Sequence, residues 1–334
     1  MNEFQELARK KMTKCRVCKE CNGIVCAGET PGCGGKGNGS TFIRNVSKLK
    51  EVCLNMNVVA SNEPVSTQTD FFGQKVDLPV YVAPIGNIFA NYGADMSEYA
   101  YTKALVDGVG KRSIVFSGDG QNPDVLMEPL KAVNDGWIVP TVKPWTDDEM
   151  MRRIDMVRQS GCSVICSDID AAGLISLKKG TPVVEFKDLQ SLKKIVDYAK
   201  MPVIFKGIMT PQAARIALEA GASGIVVSNH GGRVLQDACS TIEVLEDIVK
   251  AVDGKMKIFI DGGFRSGYDV FKALALGADG VLIGRPFSVA AILKDAEGVR
   301  EYLDKIQSEL KEAMLMCGVR STQEITRDCV TVKF

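Results

Sequence analysis

The only histidine of the chain lies in a loop whose neighbours suit proton transfer. His230 follows the apolar run Gly224–Val227 and precedes two glycines and Arg233. An imidazole has an ordinary pKa of about 6.5, so it can accept a proton near neutral pH. Glycines let backbone approach a ligand closely, and a guanidinium binds a carboxylate with two hydrogen bonds. We therefore predict that His230 is a catalytic base beside a substrate-binding Arg233, with a purely structural histidine as the alternative.

Other charged residues also stand at the ends of apolar runs. Lys206 follows Val203-Ile204-Phe205, and Asp168 follows Val164-Ile165-Cys166 at one residue's distance. A buried carboxylate needs a partner, and one beside an imidazole orients it and stabilises its protonated form. We predict that Asp168 pairs with His230 and that the Lys206 ammonium points into the same site. An exposed lysine is the alternative for Lys206.

Two glycine-bearing segments near the end of the chain predict a phosphate site. The first runs from Asp261 through Gly262, Gly263 and Arg265 to Gly267, and the second is Ile283-Gly284-Arg285-Pro286. Backbone N–H groups at the start of a helix, with an arginine nearby, bind phosphate well.

Five cysteines are concentrated between residues 15 and 33. Clustered thiolates are typical ligands of Zn²⁺ and of iron–sulfur clusters, so a metal site is one prediction. Unligated thiols or a redox-labile pair are the alternatives. A cluster could carry electrons to a protein partner. The candidate metal ligands are Cys15, Cys18, Cys21 and Cys26.

From residue 80 onward, short β-branched runs alternate with amphipathic helical segments. The predicted strands are Val80–Pro84, Ser113–Phe116, Trp137–Val142, Ser163–Asp168, Pro202–Lys206, Gly224–Ser228, Lys257–Asp261 and Gly280–Gly284. The predicted helices include Ser97–Asp107, Asp147–Gln159, Pro211–Ala220, Thr241–Val252 and Ser266–Leu276. This alternation predicts an α/β fold, a (β/α)₈ TIM barrel over residues 80–334 with helices at its C-terminal end, whose strand ends carry the reactive groups. Residues 1–79 form a cysteine- and glycine-rich N-terminal extension, and Gly173–Val184 is a loop over the mouth. A doubly wound sheet is the alternative, but no early Gly-x-Gly-x-x-Gly supports it.

Composition excludes several classes of function. The 334 residues carry no formal net charge, which argues against binding to nucleic acid or to an anionic membrane. No apolar run reaches the length of a membrane span, and Met1 to Lys14 lack the apolar core of a signal peptide. We therefore expect a cytoplasmic protein, and in that compartment its cysteines do not predict disulfides.

The motifs Ser228–Arg233, Lys206–Ile208 and Asp261–Gly267 together resemble the FMN-dependent α-hydroxy-acid dehydrogenases and oxidases, which include glycolate and lactate oxidases. The resemblance runs from about residue 37 to residue 316. It implies FMN in the barrel mouth, with Lys206 beside the flavin, His230 as base, Asp168 supporting the imidazolium and Arg233 holding the substrate carboxylate. It also implies a homotetramer or homo-octamer. The implied cofactor-binding residues are Ala83, Pro84, Ser117, Thr141, Cys166, Lys206, Ser228, Asp261, Gly262, Gly263, Arg265, Gly284 and Arg285.

The sequence departs from the family on the substrate side. Val139 and Thr141 stand where the family has a tyrosine and a glutamine, and no arginine follows Asp168 in the next six residues. Glycine-rich chain near Pro31 to Gly39 replaces an N-terminal tyrosine. Lys143 is a candidate substitute cation for the substrate, with a surface lysine as the alternative.

We predict oxidation of an (S)-2-hydroxy acid, lactate-like, to the 2-oxo acid. The electrons pass to FMN and then to oxygen or an electron-transfer protein. The alternatives are a non-redox FMN barrel resembling the type 2 isopentenyl diphosphate isomerases, and a redox sensor that holds a flavin or a metal.

Overall fold

The computed structural model describes residues 3–132 and 137–334. Within these ranges, eight parallel strands close into a barrel in chain order, because the last strand pairs with the first. The strands are β1 (Val80–Ile85), β2 (Val115–Ser117), β3 (Ile138–Val142), β4 (Ile165–Asp168), β5 (Val203–Ile208), β6 (Gly224–Val227), β7 (Lys257–Ile260) and β8 (Gly280–Ile283). The predicted (β/α)₈ fold is confirmed.

A helix follows each strand, and polar residues cap several of these helices. The helices are α1 (Glu98–Val109), α2 (Asp124–Lys131), α3 (Asp147–Gln159), α4 (Leu189–Ala199), α5 (Pro211–Glu219), α6 (Thr241–Val252), α7 (Gly267–Ala275) and α8 (Arg285–Met316). Ser97, Asp188 and Thr210 each accept a hydrogen bond from a backbone N–H in the first turn of α1, α4 and α5. Such caps satisfy N–H groups that have no partner within the helix.

The interior of the barrel is filled by large apolar side chains. Tyr81, Phe116 and Phe259 point inward from β1, β2 and β7. They pack against Phe71, which a hairpin of Thr69–Phe71 and Gln74–Val76 inserts among them. The ring centroid of Phe71 lies 5.0 Å from that of Tyr81 and 5.5 Å from that of Phe259. These side chains fill the interior of the barrel. The polar residues at the C-terminal ends of the strands form its mouth.

The segments that flank the barrel pack against it. A helix over Glu3–Lys11 contacts α8, and a helix over Ser40–Leu49 contacts α6 and the turn after β6. Val52–Leu54 pairs antiparallel with Val330–Val332, so the segment before the barrel and the segment after it share one small sheet. No helix in the described residues has both the length and the apolar character needed to cross a membrane.

Candidate active site

A cavity opens at the C-terminal ends of the barrel strands and collects most of the predicted site residues. Residues of β1, β5 and β8 line it, together with the turns after β6 and β7 and the N-terminal segment around Cys33. The predicted residues on its wall are Ala83, Pro84, Lys206, His230, Arg233, Asp261, Gly262, Gly263, Arg265, Gly284 and Arg285. The predicted Ser117, Thr141, Cys166, Asp168 and Ser228 are buried at the same strand ends.

His230 hydrogen-bonds to Asp170, a residue to which the sequence analysis assigned no role. The Nδ1 atom of His230 lies 3.0 Å from Oδ1 of Asp170 but 3.9 Å from Oδ2 of Asp168. The predicted pairing of His230 with Asp168 is therefore corrected. The two side chains lie at ion-pair distance, and the hydrogen bond of the imidazole goes to Asp170. The physical reason is that Lys143 donates from Nζ to Asp168 Oδ2 at 2.5 Å, while the turn Ile169–Gly173 returns Asp170 towards the imidazole.

Lys143 belongs to this cluster of charges and does not line the mouth cavity in the described part of the chain. Asp119 holds the chain at this point, because its Oδ2 accepts from the Lys143 backbone N–H at 3.1 Å and from the Trp145 indole at 2.7 Å. Its Oδ1 pairs with the fully buried Arg153 at 2.9 Å. Asp119 thus has a structural role, and Lys143 neutralises Asp168 in place of contacting a substrate carboxylate directly.

Burial and neighbouring cations keep His230 neutral. Desolvation, Lys206 and Lys143 lower its pKa well below 6.5, against a smaller opposite effect of Asp168. Burial alone would lower the pKa of Lys206 as well, but Asp261, Asp170 and Asp168 outweigh burial and raise it. At neutral pH the site therefore contains a free base next to a permanent cation, which is the combination that proton abstraction from a substrate requires.

Arg233 lies half-buried beside the histidine, and one of its donors has no partner among the described residues. Its Nη2 donates to Asn91 Oδ1 at 2.7 Å, and its Nε has no hydrogen-bond partner among the described residues. Burial, followed by the nearby Arg285, lowers the pKa of Arg233 to about 10. The guanidinium is still charged at neutral pH, and a carboxylate would supply the missing partner.

The predicted phosphate site has the backbone conformation that such a site needs. Gly262 and Gly263 have φ values of +98° and +92°, in the region that favours glycine. A Cβ on Gly263 would lie 2.4 Å from the carbonyl oxygen of Asn45, so a side chain has no room. Arg285 stacks over the ring of Phe42 and donates from Nε to the Cys33 carbonyl at 2.6 Å, and Arg265 donates to the Cys21 carbonyl.

Unpaired buried polar atoms lie on the cavity wall and at the strand ends beside it. Ser117 Oγ, Thr141 Oγ1 and Asp261 Oδ1 are buried without a hydrogen-bond partner in the described residues. An unpaired buried polar atom costs about 1–3 kcal/mol, and a ligand with matching donors and acceptors removes that cost. Together with the glycine turns at the end of β7 and β8, these atoms suit a flavin ring at the strand ends and a phosphate on the turns.

Ser228 and Cys166 have roles that their positions explain. The Ser228 hydroxyl accepts from the His230 backbone N–H at 3.1 Å and also hydrogen-bonds to Asp261, so it shapes the turn that carries the base. Cys166 is fully buried in the inner core of the barrel, where burial raises the pKa of its thiol.

The predicted metal ligands Cys15, Cys18, Cys21 and Cys26 do not converge on one point. Among the described residues, no three thiol sulfurs come close enough together to bind one ion. Instead, Cys33 hydrogen-bonds to Cys15 and Cys26, and Cys21 lies 3.5 Å from Arg265. The metal prediction is thus not supported, because the sulfurs pair with each other and with arginine.

Comparisons with known proteins agree with this site. The family described as FMN-dependent dehydrogenase matches residues 32–184 and 177–332. The chain is 32% identical to 4-hydroxymandelate oxidase of Amycolatopsis orientalis over 86% of this chain and 89% of that protein. It is 46% identical to peroxisomal (S)-2-hydroxy-acid oxidase GLO4 of Oryza sativa subsp. japonica, but the match spans only 45% of this chain and 40% of that relative.

Solved structures show the same architecture. A mandelate oxidase variant with 2-hydroxy-phenylacetamide superposes with a TM-score of 0.80 at 27% identity, covering 99% of this chain and 97% of that one. A lactate oxidase of Pediococcus acidilactici superposes with a TM-score of 0.82 at 25% identity, covering 99% and 94%. The family match covers the barrel and the segment that precedes it from residue 32 onward. The chain therefore belongs to the FMN-dependent dehydrogenase family and is an FMN-dependent oxidoreductase.

Proposed function

We propose that this enzyme oxidises a small, lactate-like (S)-2-hydroxy acid to the corresponding 2-oxo acid. The observation that carries the proposal is that the neutral base His230 and the half-buried Arg233, whose Nε has no partner among the described residues, line one cavity. A 2-hydroxy acid presents both groups that this pair can engage, a carboxylate for the guanidinium and a hydroxyl for the imidazole.

The residues of the mouth divide the work between binding and proton transfer. Arg233 binds the substrate carboxylate through its free donors. Because Asp170 occupies Nδ1 of His230, the other ring nitrogen, Nε2, accepts the proton. Asp170 then stabilises the imidazolium that forms, as a carboxylate does in other base-and-carboxylate pairs.

FMN, when bound, supplies the acceptor of the two electrons that leave the substrate carbon. The residues that would hold it are the glycine turns at Gly262, Gly263 and Gly284 with Arg265 and Arg285 for the phosphate. Lys206, whose pKa is raised, keeps a positive charge at the strand ends, where negative charge would accumulate on reduction.

An anaerobic absorbance experiment tests the proposal. The purified yellow protein is mixed with a panel of 2-hydroxy acids that differ in chain length, and bleaching of the visible flavin band is recorded. We expect small (S)-acids to bleach the band and the His230→Ala variant, loaded with FMN, to remain yellow. If no acid reduces the wild type, or if the variant is reduced at the normal rate, the proposal is wrong. Oxygen consumption after mixing with air then separates oxygen from another electron acceptor.

A further inference from the structure

Three cysteines of the N-terminal segment form a contact group that the proposed oxidation does not use. We call Cys15, Cys26 and Cys33 the thiol group. The Cys33 thiol lies within hydrogen-bond distance of both other thiols, and it also donates to the Lys14 carbonyl at 3.2 Å. Cys33 is buried, whereas Cys15 and Cys26 are half-buried. A central buried thiol with two partners is the arrangement in which one disulfide can form in a short movement.

The thiol group lies on the wall of a second cavity. This outer cavity has a volume of about 500 Å³ and lies between residues 15–26 and the beginning of α8. Its volume is within the roughly 300–1,000 Å³ typical of small-molecule sites. Cys33 lines both the outer cavity and the barrel mouth. A ligand in the outer cavity can therefore contact both Cys15 and Cys33.

The thiols differ in their readiness to react. The hydrogen bond from Cys33 lowers the pKa of Cys15, and this effect exceeds the opposite effect of burial. Hydrogen bonding to Cys33, and burial, raise the pKa of Cys26, and burial together with a neighbouring thiol raises the pKa of Cys18. Since the thiolate is the nucleophile, Cys15 is the member of the segment best placed to attack.

We propose that Cys15 and Cys33 form a thiol–disulfide exchange site for a low-molecular-weight disulfide that enters through the outer cavity. The Cys15 thiolate attacks one sulfur of the incoming disulfide, the disulfide bond breaks, and the released thiolate takes up a proton. Cys33 then gives up its proton and attacks the Cys15 sulfur, which forms the Cys15–Cys33 disulfide and releases a second thiol. In sum, the two cysteines are oxidised and one external disulfide is reduced to two thiols.

The test uses the FMN-loaded protein, reduced, desalted and then incubated without oxygen with oxidised glutathione at graded concentrations. Differential alkylation and peptide mass spectrometry identify each modified cysteine. We expect the loss of two thiols per chain and one disulfide, between Cys15 and Cys33. Cys33→Ala should stop at a mixed disulfide of Cys15 with glutathione, and Cys15→Ser should form neither product.

The exposed Cys239 provides the matched control, because Cys239→Ser removes a thiol far along the chain from the thiol group and should leave the Cys15–Cys33 product unchanged. A second measurement needs no variant. In the reduced wild type at pH 7, iodoacetamide should label Cys15 about tenfold faster than Cys18. The proposal is overturned if glutathione modifies only Cys239 or Cys18, if Cys26 takes the disulfide instead of Cys15, or if Cys18 is labelled faster. None of these readouts depends on turnover of a hydroxy acid, so the site stands or falls separately from the proposed oxidation.

Discussion

Replacing Asp170 with asparagine should impair catalysis, because Asp170 is the carboxylate that hydrogen-bonds to the base His230. Asp170 Oδ1 lies 3.0 Å from His230 Nδ1, and no closer carboxylate contacts the ring among the described residues. A hydrogen bond to a charged group contributes about 1.5–3 kcal/mol. That contribution is realised only when the imidazole becomes charged, so it stabilises the transition state more than the ground state.

The expected loss follows from this energy. Since about 1.4 kcal/mol corresponds to a tenfold change in rate, Asp170→Asn should lower kcat/KM about 10- to 150-fold. The pKa of His230 should also fall further, because a group that stabilises its charged form is gone. Lys143→Gln should act in the opposite direction, because Lys143 is one of the cations that lower the pKa of His230.

The single histidine makes the pKa part of the prediction directly measurable. With one imidazole in the chain, its NMR resonance can be titrated without assignment. We expect the midpoint to move to lower pH in Asp170→Asn and to higher pH in Lys143→Gln, and the acid limb of kcat/KM to move with it. The reasoning is refuted if Asp170→Asn leaves both the rate and the midpoint unchanged while Asp168→Asn alters them, because Asp168 would then be the working partner.

Three further predictions concern stability and cofactor binding. His230 is held neutral in the fold, so below about pH 6.5 the unfolded chain binds a proton that the folded chain does not. As the pH is lowered, urea denaturation should therefore show the free energy of unfolding falling by up to about 1.4 kcal/mol per pH unit. His230→Gln should reduce this slope. Gly263→Ala places a methyl group against the Asn45 carbonyl and should lower the FMN bound per chain after desalting, and full occupancy would contradict the phosphate assignment. Glu243→Ala removes a two-point contact with Arg44 and half of the capping box of α6. Thermal unfolding should show a loss of about 1 kcal/mol, against little loss for Asp247→Ala, whose contact with Lys250 is exposed.

The barrel could be predicted because its signal is repeated and local. Each buried strand is a short β-branched run, and each observed barrel strand overlaps its predicted range. The predicted strand–helix alternation gave no bounds for two helices, α2 and α4. Proline at position 129 weakens the helical pattern of α2, and α4 follows the longest connection between strands. The pairing of Val52–Leu54 with Val330–Val332 was also missed, because three-residue strands carry no periodicity and their partners are far apart in the sequence.

The site could be predicted only in part, because sequence shows which groups share an edge but not which of them pair. Position at a strand end brought His230, Lys206 and Arg233 to one cavity as predicted. Asn91 and Cys33 were missed, since the short helix Ile88–Tyr92 and the N-terminal segment reach the mouth from outside the strand–helix pattern. A useful signal was present for Asp170, a second carboxylate two residues after the end of a strand.

The choice between Asp168 and Asp170 shows how a neighbouring strand decides the chemistry of the base. Asp168 ends β4 and lies in register with Lys206, so a single carboxylate there would face a lysine and the histidine together. Lys143 lies directly after the neighbouring strand β3, and its Nζ pairs with Asp168 at 2.5 Å. Asp119 accepts a hydrogen bond from the Lys143 backbone N–H and fixes it in that position. With one carboxylate neutralised, the imidazole still needs a partner to become charged, and Asp170 supplies it. The lysine that looked like a substrate cation in the sequence is thus better explained as the reason that this chain needs a second aspartate.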